Sequence, residues 1–392
     1  MKKLLFFLTW LAVYATPAAA QADSCGLRIS LLTCAPGAEL YSIFGHTAIR
    51  VQNPETGMDA VFNYGTFEFG PDFYPKFVRG KLPYFLSVED FPGFLSAYQA
   101  ESRSVWEQPL ILNCARKQQL LHALQTNSLA ENRTYRYDFL YDNCTTRAMN
   151  MALLHAPRPV RLRMILPANV PTFRDLIHQK LDSGHLDWSK LGIDLLLGAR
   201  LDRKVTNAEA MFLPANLLHG FDGARAGDTL LAAPPKTLLD MPSLLPKKSG
   251  LTPLAVFSAL LALIILLSFI PNRSVQRVVA FFDYLFFISL GLVGVLLLFM
   301  WLGTDHALCA NNWNLLWALP THLVAAPFLY RNRKWINTYL MVTIALQALL
   351  VIGWIFLPQE LNPGFIPVIL LVLLRAWLLI LKPHHGTTAA AS

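Results

Sequence analysis

An α+β domain followed by an all-α polytopic membrane domain is the fold class this sequence predicts, and three observations carry it. The 392 residues are 54% hydrophobic and only 15% charged, with a mean hydropathy of +0.40, too apolar for an ordinary soluble protein. That average hides a division: residues 21–250 hold 24 basic and 22 acidic side chains, whereas residues 251–392 hold 7 and 3. Within the first part, short β-prone runs give way to segments of helical period, and the second part is a series of long apolar stretches.

Residues 1–20 have the form of an export signal. Lys2 and Lys3 precede an apolar run from Leu4 to Tyr14, and Ala18-Ala19-Ala20 supplies the small residues of a cleavage site. The run is short for a membrane span, and Ala22-Asp23-Ser24 before Cys25 lacks the apolar residues of a lipidation site.

Residues 21–225 then form the exported domain, with a motif core at about 27–155 and an extension at 156–225. His46–Val51 and Asp59–Tyr64 flank Asn53-Pro54-Glu55-Thr56-Gly57 and read as a β-hairpin. Arg116–Asn127 and Cys144–His155 have helical spacing, the second after Asp142-Asn143, both good N-cap types. Pro234, Pro235, Pro242 and Pro246 mark 226–249 as a linker.

From residue 250 to 382 five apolar segments follow, at about 251–270, 280–302, 313–330, 336–357 and 364–381, each near the ~20 residues that cross a bilayer. With the first domain outside, Arg273, Arg277, Arg331, Arg333, Lys334 and Lys382 fall on cytoplasmic loops and on a tail that ends with residues 383–392. The outer loops 303–312 and 358–363 have no Lys or Arg. This satisfies the positive-inside rule for an N-out, C-in protein of a bacterial inner membrane, although Lys247 and Lys248 run against it. The formal charge of +8 is thus mostly signal and cytoplasmic-loop charge, and no basic patch remains for nucleic acid. Asp283 and Arg375, inside predicted spans, are expected to pair or to snorkel.

Chemistry is concentrated at two places. Cys144 sits in YDNCTTR where a loop turns into a helix, so its sulfur meets the helix dipole and free N–H groups that favour thiolate. A neighbouring amide could hold an oxyanion. His46, after Gly45 at the start of a strand, is the candidate base, against the plainer reading of a core histidine. Cys25, Cys34 and Cys114 lie in an oxidising compartment where a disulfide can form, but sequence does not pair them. No CxxC spacing exists, and neither metal nor cofactor is expected.

The stretches LLTCAPG at 31–37, FGHTAIRV at 44–51, VFNYGTF at 61–67, YRYDFLYDNCTTR at 135–147, GIDLLLG at 192–198 and MFLP at 211–214, with the outer-loop residues from Asp305-His306 to Trp317, resemble the Bacteroidota-type lipoprotein N-acyltransferase family, Lnb. The resemblance implies a permuted NlpC/P60-like, papain-type domain in which histidine precedes cysteine, as His46 precedes Cys144 here. It makes Cys144 the nucleophile and His46 its base, with Asn63 as the best candidate for the third residue, although Asn63 reads nearly as well as a capping or turn asparagine. Tyr41, Gly45, Arg50, Tyr141, Asn143 and Arg147 are the expected substrate-binding residues. The implied reaction takes a fatty acyl chain from a membrane phospholipid onto Cys144 and passes it to the N-terminal amine of a diacylated lipoprotein.

Other readings stay open. A cell-wall peptidase or a phospholipase A would use the same Cys–His pair, and a non-catalytic assembly or transport partner would place its chemistry in the spans. The aromatic residues Phe67, Phe69, Phe73, Tyr74, Phe77, Tyr84 and Phe85, near Lys76, Arg79 and Lys81, read either as a membrane-interface surface or as local core. The outer loop around His306 either closes over the active site or only caps the helices.

Overall fold

Strand alternation builds the centre of the exported domain. The hairpin forms as expected: β2 (His46–Asn53) and β3 (Met58–Thr66) pair antiparallel, with Ile49 opposite Phe62. The computed structural model describes residues 25–242, 250–331 and 334–381, so the export signal at 1–20 and the tail at 383–392 fall outside the described residues. β1 (Arg28–Cys34), β4 (Pro83–Asp90), β5 (Val105–Pro109), β6 (Thr134–Arg136) and β10 (Lys236–Leu239) extend the hairpin into a seven-stranded antiparallel sheet of order β10-β5-β1-β2-β3-β4-β6. The short strands β7 (Val160–Arg161), β8 (Arg225–Ala226) and β9 (Thr229–Leu230) form a second sheet.

Successive strand residues face opposite sides, and both sides are covered. Ile29, Leu31, Ile49, Phe62 and Tyr64 pack on the Cys114–Ser128 and Cys144–Leu154 helices through Leu120, Leu124, Ala148 and Ala152. Leu32, Ala48 and Val61 pack on Phe94 of the Phe91–Ala100 helix. A Cys25–Cys114 disulfide ties the start of β1 to the first of these helices, leaving Cys34, Cys144 and Cys309 as free buried thiols.

The expected linker at 226–249 is corrected over its described part. β10 lies inside that range and completes the sheet edge beside β5, and the Ser104 hydroxyl donates to the Met241 carbonyl at 3.1 Å. Pro234, Pro235 and Pro242 flank the strand rather than break it, which an edge position permits.

The extension forms its own core. Phe173, Leu176, Ile177 and Leu181 of the Phe173–Ser183 helix pack with Leu201, Phe212 and Leu213. Beside this core a polar network joins the extension to the membrane domain. Arg174 and Asp194, both fully buried, pair at 2.7 Å, and His178 Nε2 lies 2.7 Å from the same carboxylate. Asn362 Nδ2 donates to Asp194 Oδ2 and Asn314 Nδ2 to its backbone carbonyl, each at 2.8 Å.

Among the described residues three helices, not five, are long and apolar enough to span a bilayer: Arg273–Leu302, Lys334–Ile352 and Pro363–Leu381. The expected first span is the 16-residue helix Pro253–Ser268, about 24 Å long at 1.5 Å per residue against a ~30 Å hydrocarbon core. The expected third is broken into the short pieces Trp313–Leu316, His322–Ala325 and Ala326–Phe328, because Pro320 and Pro327 interrupt it. Asp283 and Arg375 do pair, through two hydrogen bonds of 2.7 Å, with Ser268 and Tyr330 completing the cluster.

Candidate active site

The chemistry begins at one helix N-terminus. Asn143 caps the Cys144–Leu154 helix: its Oδ1 accepts from the Thr145 and Thr146 amides at 2.8 Å, and the Thr146 hydroxyl accepts from the Asn143 amide at 2.8 Å. The cap occupies those two amides and leaves the N–H of Cys144 itself free of the cap, at the positive end of the dipole. The sulfur is 3.7 Å from the Thr145 hydroxyl, and the hydroxyls of Thr145 and Thr47 lie 3.2 Å apart, which pins the helix to β2.

The neighbouring strands supply the candidate base and its support. His46 opens β2 and hydrogen-bonds Cys144. His46 Nε2 is 2.6 Å from Asn63 Oδ1 on β3, and Asn63 Nδ2 donates to Glu89 Oε1 on β4 at 3.1 Å. A carboxylate can only accept, so Glu89 fixes the Asn63 amide with its oxygen toward the ring. The imidazole must then donate from Nε2, which leaves Nδ1 with its lone pair for the thiol.

Electrostatics follow this geometry. Burial alone pushes the Cys144 thiol up, but the charge and hydrogen bond of His46, the Thr47 amide and the Thr145 hydroxyl outweigh it and bring the thiol down to about 7. Burial works against the His46 cation, yet the Cys144 thiolate and the Asn63 hydrogen bond hold it above the usual histidine value. Cys34, by contrast, is pushed up to about 12, mainly by burial, and is inert at neutral pH.

Two glycines with left-handed backbone flank the pair. Gly65 is held to glycine by its φ of +88°, while a side-chain carbon there would stand in ordinary contact, 3.4 Å, with the Cys144 Cβ. Gly45 has φ +83°, and a side-chain carbon there would lie 2.8 Å from the Cys34 carbonyl oxygen, so the close neighbour beside it is the chain's own β1.

A cavity of about 850 Å³ opens on the sulfur. Tyr41, Gly45, His46, Asn63, Asn143 and Cys144 all line it. Arg50, Tyr141 and Arg147 are not among its lining residues. Arg50 lies four residues along β2 from His46, about 13 Å away at 3.3 Å per residue, paired to Asp59 at 2.6 Å and Glu107 at 3.2 Å. Tyr141 accepts from Arg203 at 3.1 Å, while Arg147 pairs with Asp142 at 2.6 Å and stacks over Tyr135. These three hold the frame of the site and do not reach into it.

The membrane domain supplies part of the wall. Asp305, His306, Ala307 and Leu308 of the outer loop line the same cavity. The loop is held there by bonds from the Asp305 amide to the Arg79 carbonyl at 3.0 Å, between His306 Nε2 and the Phe77 carbonyl at 2.9 Å, and from the Gly198 amide to the Leu308 carbonyl at 2.8 Å. Of the two expectations for this loop, closing over the site is the one the contacts match.

Sequence reasoning missed Glu89. It has no motif around it, and only the pairing of β3 with β4 brings it to Asn63.

Fold and site together define a class: an α+β domain with a buried Cys–His–Asn arrangement, docked on an apolar helical domain that closes one wall of its cavity. The chain belongs to the Lnb family. The Lnb N-terminal periplasmic domain model matches residues 14–179 and the Lnb transmembrane domain model residues 246–385, together more than three quarters of the chain. It is therefore a membrane-spanning protein with a periplasmic N-terminal domain. No curated protein and no solved structure matches it.

Proposed function

We propose that the protein is a cysteine-dependent lipoprotein N-acyltransferase of the bacterial inner membrane, with the sheet domain that carries Cys144 outside and the C-terminus in the cytoplasm. The observation that carries this reading is a cysteine set beside the His46–Asn63 pair at the mouth of a largely apolar cavity whose wall is completed by the membrane domain. A hydrolase of polar cell-wall peptides has no use for such a wall.

In the first step the Cys144 thiolate attacks the ester carbonyl of a phospholipid. The Cys144 N–H stabilises the oxyanion, and the protonated His46 gives its proton to the departing lysophospholipid oxygen, leaving a thioester. In the second step the α-amine of a diacylated lipoprotein's N-terminal cysteine attacks the thioester, His46 takes the amine proton, and the Cys144 thiolate leaves. Asn63 keeps the ring oriented through both steps.

The test is mass spectrometry of a lipoprotein's N-terminal peptide from cells that depend on this protein. An N-linked acyl group is expected with the native protein and none with Cys144→Ala at equal protein abundance. Triacylated product in the Cys144→Ala strain would refute the assignment.

A further inference from the structure

The core of the extension does not close on itself. Its inner members, among them Ile177, Phe212 and Leu213, are buried, but Phe44, Phe139, Ile193, Leu197 and Leu308 pack against that core while remaining only partly buried. All five also line the cavity that holds Cys144. The open side of a hydrophobic core thus faces the nucleophile.

Three parts of the chain build this face. Phe44 and Phe139 come from the loops that lead to His46 and Cys144, and their rings meet edge-to-face at 4.9 Å. Ile193 and Leu197 come from the Asp187–Leu196 helix and its C-cap. Leu308 comes from the outer loop between membrane helices and is fixed by close backbone contact: a side-chain carbon on Gly198 would lie 2.0 Å from the Ala310 carbonyl.

We propose that this face is the binding site for the acyl chain while it is carried on Cys144, so that the extension and the outer loop together set the length of chain transferred. This rests on the acyl-transfer reading. The occupant follows from chemistry: a chain linked to Sγ must leave the sulfur through this cavity, and a straight hydrocarbon gains most by lying on the apolar face nearest to it. The volume of about 850 Å³ lies within the range that holds a ligand of some twenty to thirty heavy atoms. The acceptor's two chains, not attached to the sulfur, have no such constraint and can stay in the bilayer. The extension, which motif reading leaves without a role, becomes the gauge of the enzyme.

The test uses the full-length protein in nanodiscs and a series of alkyl methanethiosulfonates from methyl to hexadecyl. The Cys144 thiolate attacks the thiosulfonate sulfur, forming a disulfide to the alkylthiol and releasing methanesulfinate, and peptide mass spectrometry separates Cys144 from Cys34 and Cys309. In the native protein the rate at Cys144 should climb about tenfold or more from butyl to dodecyl. Ile193→Trp and Leu308→Trp, on walls from different domains, should each stop that climb at a shorter chain and leave the methyl rate within about twofold, a size at which packing of the thiol itself is judged unchanged. A flat native series, or variants that follow the native curve, would overturn the proposal. Should a tryptophan variant lose the methyl rate as well, Leu308→Ala decides: it should carry the climb to longer chains, and an unchanged curve counts against the pocket. The readout needs no acyl transfer. A protein that shows the length dependence but makes no N-acylated lipoprotein would refute the transferase reading and leave the chain site standing.

Discussion

Two polar clusters lie buried in this protein, and they differ in what is left unfinished. At the junction of extension and membrane domain, Asp194 is held by Arg174, His178, Asn362 and Asn314, and Arg174 also reaches Asp202 at 2.8 Å and the carbonyls of Leu197 and Gly198. At the active site the chain from Glu89 through Asn63 to His46 ends on a sulfur that faces a cavity. The closed cluster fixes how two domains meet. The open one carries a proton that can move, because its last member has a hydrogen-bond partner on one side and room for a reactant on the other.

The contrast can be broken first at the open end. Cys144→Ala should reduce N-acyl transfer below detection. His46→Ala should lower it by about 10²–10⁴-fold, the usual worth of a general base, in lipoprotein peptides measured at equal abundance. An effect below tenfold for His46→Ala would remove it from the role of base.

Breaking the closed cluster should act on stability instead. Arg174→Met leaves the Asp194 carboxylate buried without its guanidinium partner, at a cost of about 3–5 kcal/mol. Thermal unfolding of the purified full-length protein should show this as a clear fall in Tm, whereas an unchanged Tm would mean that water or His178 already satisfies the carboxylate.

A smaller effect is expected at Glu89. Glu89→Ala frees the Asn63 amide to turn, so transfer should fall by about tenfold, the worth of one charge-assisted hydrogen bond, with protein abundance unchanged. A merely structural residue would not move the pH profile; here the alkylation midpoint of Cys144 should rise. Unaltered transfer and midpoint would limit the support of His46 to Asn63.

The smallest change is in pH dependence. Thiolate is the reactive form, so alkylation of native Cys144 should rise as pH rises through about 7. In His46→Ala burial acts with less opposition and the midpoint should move up. A native midpoint at the ordinary thiol value would undo the ion-pair reading.

Much of this was legible in the sequence because its signals are local. Asn143 before Cys144 announced a helix start, and His46 and Asn63 stood on the two strands of a hairpin visible from its turn. Other parts failed for physical reasons. Arg50 belongs to the same motif as His46, but strand geometry carries it down the sheet into an ion pair with Asp59 and Glu107. The stretch 313–330 is apolar enough to read as a span, yet its prolines and the asparagines that serve the domain junction break it into short turns.

By itself the sequence determined the division into an exported α+β part and an apolar helical part, because charge and hydrophobic period are written residue by residue. It also placed Cys144 at a capped helix start and His46 at a strand start, because both are local features. Only the tertiary structure decided that Glu89 stands behind Asn63, that Cys25 pairs with Cys114, and that the outer loop at 305–308 walls the cavity. Each of these depends on which distant segments the sheet and the packed core bring together.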